Sequence, residues 1–306
     1  MATRSDNGLT ALVTGASGFT GRYVVKDLAA RGYRVVRWGH GRDGDDSMAS
    51  VDLTDRDAVL RSMRAARPDV VVHLAAISFV AHGDAEEIYR VNVIGSRNLL
   101  EACAQLDDRR RRVLLASSAN VYGDAEGAVS EAVQPSPKND YAVSKLAMEY
   151  MARLWRDRLS ITVVRPFNYT GVGQSEKFLL PKIVAHFQRR ATSIELGNLD
   201  VSRDFYDVRN VAQAYGRLLE VDAAEEVFNV CSGSEVALSE VIALMEHISE
   251  HRMEVRVNPA FVRASEVKHL RGDNARLREA IGILPHFSLE ETLRWMFESG
   301  SGVLSS

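Results

Sequence analysis

From Leu9 onward, short β-branched runs alternate with stretches whose apolar residues recur at helical spacing. TALVTG reads as a strand, and GRYVVKDLAARG as a helix stopped at Gly32. YRVVRW is a second strand. VDLTDRDAVLRSMRAARP predicts a helix opened by a capping-box pair, Thr54 with Asp57, and closed at Pro68. The nearly unbroken apolar run of DVVVHLAA suits a strand buried on both faces. EIYRVNVIGSRNLLEACAQL is helical, RVLLASS a strand, YAVSKLAMEYMARLWRD a helix and ITVVRPFN a strand. Such repetition predicts an α/β fold, a doubly wound parallel sheet with helices on both sides.

After Arg165 the rhythm changes. Pro166, Pro181, Pro259 and Pro285 punctuate longer loops, and Ser288 with Glu291 opens a last helix, SLEETLRWMFESG. The expected division is a dinucleotide-binding unit over 8–166 plus about 205–231, with a smaller, loop-rich substrate lobe over about 167–204 and 232–306. The run Arg109 to Arg112, at a helix–strand junction, reads as a solvated basic cap.

Composition narrows the function classes. Of 306 residues, 46% are hydrophobic and 26% charged, which is globular and excludes wholesale disorder. With 38 basic against 41 acidic side chains the net charge is -3, so no general grip on nucleic acid is encoded. The polar start and the lack of any apolar run of about 18 residues argue against secretion and membrane spanning. A soluble cytoplasmic protein is expected. Cys103 and Cys231 read as buried small hydrophobes. His73, His82 and His186 have no metal-like spacing, and no metal is expected. His73 reads as a core residue, and His82 as a loop residue within reach of substrate.

Gly15, Gly18 and Gly21 form G-x-x-G-x-x-G between the first strand and the first helix. A tight turn, backbone without Cβ and a helix N-terminus together suit a pyrophosphate, giving a Rossmann-like cofactor site. The second strand ends Val36-Arg37-Trp38-Gly39-His40-Gly41-Arg42, without the carboxylate that would bond a ribose diol. Arg37 and Arg42 flank that position and suit a 2′-phosphate. NADP(H) is therefore favoured, with NAD(H) as the alternative. Asp52 and Leu53 are candidates for the adenine, or Asp52 for a loop cap.

Tyr141 and Lys145 lie four apart on one face of a predicted helix. A phenol titrates near pH 10, so proton exchange at neutral pH needs a drop of roughly 3 units, about 4 kcal/mol. A lysine ammonium about 4 Å away, at an effective dielectric near 20, supplies that much. Ser117 and Ser118 end the strand RVLLASS, where carboxyl ends of parallel strands open onto a ligand crevice. Ser118 is the candidate to hold a reacting oxygen.

The motifs TGASGFTG, HLAA, NVIGSRNLLEAC, SSANVYG, YAVSK and RPFN together resemble the extended short-chain dehydrogenase/reductases, the nucleotide-sugar epimerase, dehydratase and reductase group. The resemblance covers nearly the whole chain. It implies Tyr141 as acid/base, Lys145 as ligand of the nicotinamide ribose and polariser of the tyrosine, and Ser118 as the substrate-orienting hydroxyl. It implies cofactor contacts from Gly15, Ser17, Gly18, Phe19, Thr20, Leu74, Ala75, Ala76, Asn92 and Pro166, and substrate contacts from Asn120 and Asn168. A homodimer packed through helices 92–106 and 141–156 is also implied.

Dehydratases of this group carry a carboxylate base just before V-Y-G. Here Asn120 stands there, an amide without useful basicity, so 4,6-dehydration is disfavoured. The far half resembles the GDP-sugar branch, above all the GDP-4-keto-6-deoxy-D-mannose reductases. That likeness implies Arg203 and Arg263 on the diphosphate, Lys182 and Asn198 near the nucleotide, and Lys177 as a weaker candidate. Arg203 with Asp204 could instead form a surface ion pair. Tyr169 stands where a histidine is frequent. The expected activity is NADPH-dependent reduction of the 4-keto group of a GDP-4-keto-6-deoxy-hexose, in deoxysugar biosynthesis. A nucleotide-sugar 4-epimerase or 4,6-dehydratase is the alternative.

Overall fold

The apolar runs become the strands of a parallel sheet. In the computed structural model, which describes residues 8–39, 48–78, 84–107, 109–223, 226–261 and 267–301, β1 (Thr10–Thr14) leads into α1 (Phe19–Ala30). Next come β2 (Arg34–Trp38), β3 (Met48–Ala49), α2 (Arg56–Ala66) and β4 (Val70–His73). α3 (Ala85–Tyr89) runs through a wide π turn over Arg90–Gly95 into α4 (Ser96–Ala104). β5 (Arg111–Ala116), β6 (Gly127–Val129), α5 (Asp140–Ala152), β7 (Leu159–Pro166) and β8 (Asn168–Thr170) follow. Then come α6 (Leu179–Gln188), β9 (Ser193–Leu196), β10 (Ser202–Arg203), β11 (Phe205–Asp207), α7 (Val208–Leu218) and β12 (Val227–Val230). The last elements are β13 (Val236–Ala237), α8 (Leu238–Ser249), β14 (Glu254–Val257), β15 (His269–Gly272), α9 (Ala275–Ile281) and α10 (Leu289–Ser301).

The central sheet runs β3-β2-β1-β4-β5-β7-β12, with every pairing parallel. From β1 the chain builds outward to β3, then returns to place β4 on the other side of β1. This switch in direction leaves a crevice at the carboxyl ends of β1 and β4. Strand alternation divides the core: Val13, Leu28, Val211, Tyr215 and Phe228 share one cluster, while Leu12, Met63, Leu99, Leu115 and Met148 share the other. A third cluster, built from Leu180, Ile183, Phe187, Leu196, Val241, Met245 and Leu293, belongs to α6, α8, α10 and β9. Cys103 and Cys231 are buried thiols. Among the described residues, no helix is long and apolar enough to cross a membrane.

Two local readings change and one holds. The second helix is capped by Asp55, whose carboxylate accepts from the Ala58 amide at 3.0 Å, while Thr54 turns back to Asp52. The predicted Thr54–Asp57 box does not form, because Thr54 lies one residue too early. The Ser288–Glu291 box does form, with Glu291 N–H donating to Ser288 Oγ at 3.1 Å and Ser288 N–H to the Glu291 carboxylate at 2.7 Å. The arginine run is exposed at Arg109, Arg110 and Arg112, as a solvated cap requires, but not at Arg111. In a parallel sheet with crossover helices, helix C-termini gather beside the amino ends of the strands, and their last carbonyls lack partners. Arg110 donates to Leu159 and Arg156 carbonyls, Arg111 to those of Pro68 and Cys103, and Arg112 to that of Leu219. Arg111 is buried, with an ion pair to Asp107 at 2.6 Å.

Candidate active site

Gly15 leaves β1 with φ +66°, a backbone that favours glycine, and an added Cβ would stand 2.8 Å from the Ala75 amide nitrogen. A Cβ at Gly21 would overlap the Gly15 carbonyl. α1 thus begins hard against the strand ends, with Gly18 at its N-cap, no side-chain cap and no acidic residue in its first turn. Its leading N–H groups and dipole face the crevice unopposed by negative charge, which fits the diphosphate of a dinucleotide. Ser17 and Gly18 are exposed, and Phe19 and Thr20 half-buried. A Cβ at Gly39 would stand 2.8 Å from Ser17 Oγ, so a side chain at the end of β2 would displace the serine. Arg37 is half-buried on β2, and Arg42 lies outside the described residues.

Asn139 caps α5, accepting from the Ala142 amide at 2.9 Å, and so sets Tyr141 in the first turn. Tyr141 and Lys145 are both buried. Ser118, at the end of β5, accepts from the Asn120 amide at 3.1 Å. That contact leaves its own proton to donate, and the Ser118 hydroxyl lies close enough to the Tyr141 phenol to favour its anion. Burial drives this phenol up to about 12; the neighbouring Tyr169 adds to the rise, and the nearby Ser118 hydroxyl opposes it. Among the described residues Lys145 makes no hydrogen bond to this phenol. Lys145 Nζ donates to the Ala116 carbonyl at 2.8 Å, and burial lowers its amine to about 8 against the opposing charge of Glu149. Desolvation, rather than the ammonium, governs the phenol here.

The fold converges other predicted residues on the same crevice edge. Leu74, Ala75 and Ala76 follow β4, and Thr14 Oγ1 accepts from the Leu74 and Ala75 amides, both at 3.2 Å. Asn92 is fully buried; its amide exchanges hydrogen bonds with Ile77 and donates to Ser144 Oγ at 3.0 Å. Leu53 is buried, whereas exposed Asp52 accepts from the amide and hydroxyl of Thr54. Pro166 ends β7, and exposed Asn168 begins β8, aligned with Phe205 of β11.

In the second lobe, Lys182 Nζ donates to the Glu195 carbonyl at 2.8 Å and sits 4.9 Å over the Phe261 ring. Arg203 donates to the Ser202 and Lys268 carbonyls. The carboxylate of Asp204 is fully buried and accepts from Ser232 N–H, Ser232 Oγ, Gly233 N–H and Gly272 N–H. It organises two turns, so no Arg203–Asp204 surface pair arises. Asn198 is half-buried and Lys177 exposed. Arg263 and His82 lie outside the described residues.

Several contacts at the site went unread in the sequence. Tyr169 sits beside the Tyr141 phenol, stacks on Phe19 at 6.1 Å and bonds Thr20 Oγ1 at 2.7 Å. Glu149 lies one turn beyond Lys145 and pairs with Arg165 at 2.6 Å, both buried. The signal available for Glu149 was its spacing, two turns after Tyr141 on the same helix face.

A model of the NAD dependent epimerase/dehydratase family matches residues 11–231. The chain belongs to that family. This epimerase/dehydratase family member is an NAD(P)-dependent oxidoreductase by the company it keeps. It is 37% identical over 273 residues to the GDP-6-deoxy-D-talose 4-dehydrogenase of Aggregatibacter actinomycetemcomitans, covering 89% of this chain and 90% of the relative. It is 36% identical over 296 residues to the GDP-6-deoxy-D-mannose reductase of Pseudomonas aeruginosa, covering 92% and 94%. Among solved structures, a Burkholderia cenocepacia J2315 protein provisionally assigned as an epimerase matches with TM-score 0.90 and 50% identity over 96% of this chain and 98% of that one. RMD from Pseudomonas aeruginosa, complexed with NADPH, matches with TM-score 0.87 and 33% identity over 96% and 99%.

Proposed function

We propose that this enzyme reduces the 4-keto group of a GDP-linked 4-keto-6-deoxy-hexose with NADPH. The observation that carries the reading is the buried Ser118 hydroxyl beside the buried Tyr141 phenol at the carboxyl end of β5, one helical turn from the buried Lys145. Bound NADPH supplies the hydride. The chain's own residues then have distinct tasks. Ser118 carries one free O–H, which turns from the phenol to the substrate oxygen and fixes it. Tyr141 holds its proton, since its phenol sits near 12, and delivers it to the oxygen as charge develops there. The Lys145 ammonium offsets the tyrosinate left behind, and solvent restores the proton. The turn Gly15–Gly18 and the start of α1 would hold the diphosphate of the cofactor, with Arg37 and Arg42 toward a 2′-phosphate. The half-buried Arg37 and the close approach of Gly39 to Ser17 support NADP(H) over NAD(H).

Residues 167–204 and 232–306 would form the lobe for the nucleotide sugar, with Asn120, Asn168, Lys182, Asn198, Arg203 and Arg263 as contacts. Two relatives named for chemistry at GDP-6-deoxy sugars support that choice of substrate. The amide of Asn120, where dehydratases of the family carry a base, argues against 4,6-dehydration. In a two-copy assembly, the exposed apolar residues Ile94, Val143, Tyr150 and Leu154 would be covered by a second copy of the chain. The direct test supplies GDP-4-keto-6-deoxy-D-mannose and follows NADPH absorbance. Stoichiometric consumption is expected. None, from folded protein with either NADPH or NADH, overturns the reading.

A further inference from the structure

Tyr141, Lys145 and Glu149 form three successive rungs on one face of α5. The Glu149 carboxylate, 3% exposed, accepts Ser117 Oγ at 2.5 Å, Arg165 Nε at 2.9 Å and Arg165 Nη2 at 2.6 Å. Arg165 Nη1 donates to Tyr122 Oη at 3.0 Å, which in turn donates to Asn229 Oδ1 at 2.7 Å. Ser117 is thus gripped between Ala116, whose carbonyl takes the Lys145 amine, and Ser118. Arg165 directly precedes Pro166. One carboxylate therefore ties α5, the end of β5 and the end of β7 into a single rigid corner.

A buried ion pair is a poor way to gain stability, since an apolar pair of the same volume does as well. Its charge, set one helical turn from a buried amine, has a use that an apolar pair could not supply. We propose that the Glu149–Arg165 pair is a positioning device that holds the Lys145 amine cationic and aligns the Ser117–Ser118 strand end. The inference rests on the Tyr141–Lys145 reading above. The groups facing Lys145 are Glu149 on α5 and the neutral His73 on β4, with Arg165 on β7 behind the Glu149 carboxylate. Burial already lowers the amine to about 8, and the Glu149 charge is the influence that resists it.

The charges make predictions of opposite sign. The chain has six lysines, so biosynthetic [ε-13C]lysine labelling of the full enzyme, with Lys145→Arg for assignment, gives a resolvable titration by NMR. Glu149→Gln removes the favourable charge and leaves Arg165 unopposed, so the Lys145 midpoint should fall by about one unit, tenfold in ammonium. Arg165→Gln frees the carboxylate charge, so the midpoint should rise. Midpoints that stay put, or that move the same way in both variants, overturn the inference. If either single variant fails to fold, the double variant Glu149→Gln/Arg165→Gln decides. Because Glu149 is the nearer charge, its midpoint should lie below wild type, and an unchanged one refutes the proposal. This readout needs no substrate. Loss of the NADPH reaction would sink the functional reading alone.

Discussion

The hydroxyl of Thr14 stands 2.7 Å from Nδ1 of His73. On the other side of the ring, Nε2 lies 2.8 Å from Ser96 Oγ, whose proton is committed to the Asn92 carbonyl at 2.6 Å. The ring must therefore donate from Nε2 and accept at Nδ1, a neutral tautomer held from both ends. Burial and the Lys145 charge lower its pKa from 6.5 to about 3. The chain continues through Asn92 and Ser144 to the Tyr141 carbonyl, linking the strand beneath the glycine turn to the helix of the phenol. The unfolded chain takes up a proton below about 6.5 that the native ring refuses until about 3. Stability from this group is complete above the unfolded value and is lost as pH falls below it, at up to about 1.4 kcal/mol per pH unit. Urea unfolding at pH 7 and pH 5 should show that loss in wild type, and His73→Gln should be flatter by about the same amount. Equal slopes would refute the assignment.

The phenol, the amine and Ser118 were legible because their signals are local: four residues along a helix, and a strand end. The corner formed by Glu149, Arg165 and Ser117 was not, because its partners are 16 and 32 residues apart and meet only when α5 packs on β5 and β7. The partner of the Lys145 amine was hidden for a related reason. Spacing places the amine on the correct face but cannot show that the Ala116 carbonyl takes it. Strand positions followed from apolar runs, whereas the π turn at Arg90–Gly95 left no mark in a sequence of ordinary helical spacing. Burial of Arg111 alone in the arginine run was hidden because its acceptors, the Pro68 and Cys103 carbonyls, gather around it only in the fold.

Gly15→Ala tests the turn itself. The substitution puts a Cβ 2.8 Å from the Ala75 nitrogen and forces φ +66° on a residue that resists it. A loss of about 1–3 kcal/mol is expected from the backbone strain. Fluorescence titration with NADPH should show weakened binding beyond that seen for Gly127→Ala, another positive-φ glycine with open space around it. Equal effects at the two glycines would remove the case for a cofactor turn.

Leu154, Tyr150 and Val143 lie on one face of the α5 segment, 80%, 55% and 38% exposed, and Ile94 is 48% exposed on the neighbouring helical stretch. Exposed apolar residues on one helix face fit the proposed two-copy interface. Leu154→Glu with Tyr150→Glu should convert a dimer to monomer by light scattering, with far-UV circular dichroism unchanged. A wild-type chain that is monomeric at micromolar concentration contradicts the dimer.

The sharpest prediction concerns pH and direction. In the free enzyme the phenol sits near 12 and the amine near 8. Reduction consumes a phenolic proton, which Tyr141 retains throughout the working range, so no acid limb arises from it. The amine must remain charged to offset the developing tyrosinate, and its folded value is lowered from 10.5, so the charge disappears as pH rises through about 8. Since kcat/KM reports the ionisations of free enzyme, it should be level below that point and fall tenfold per unit above it. Tyr141→Phe should reduce kcat by about 10²–10⁴ at every pH, the range expected for loss of a positioned acid. Lys145→Met, without a titrating amine, should lose both rate and basic limb. A limb that survives in Lys145→Met belongs to another group, and the mechanism would then need a different cation beside the phenol.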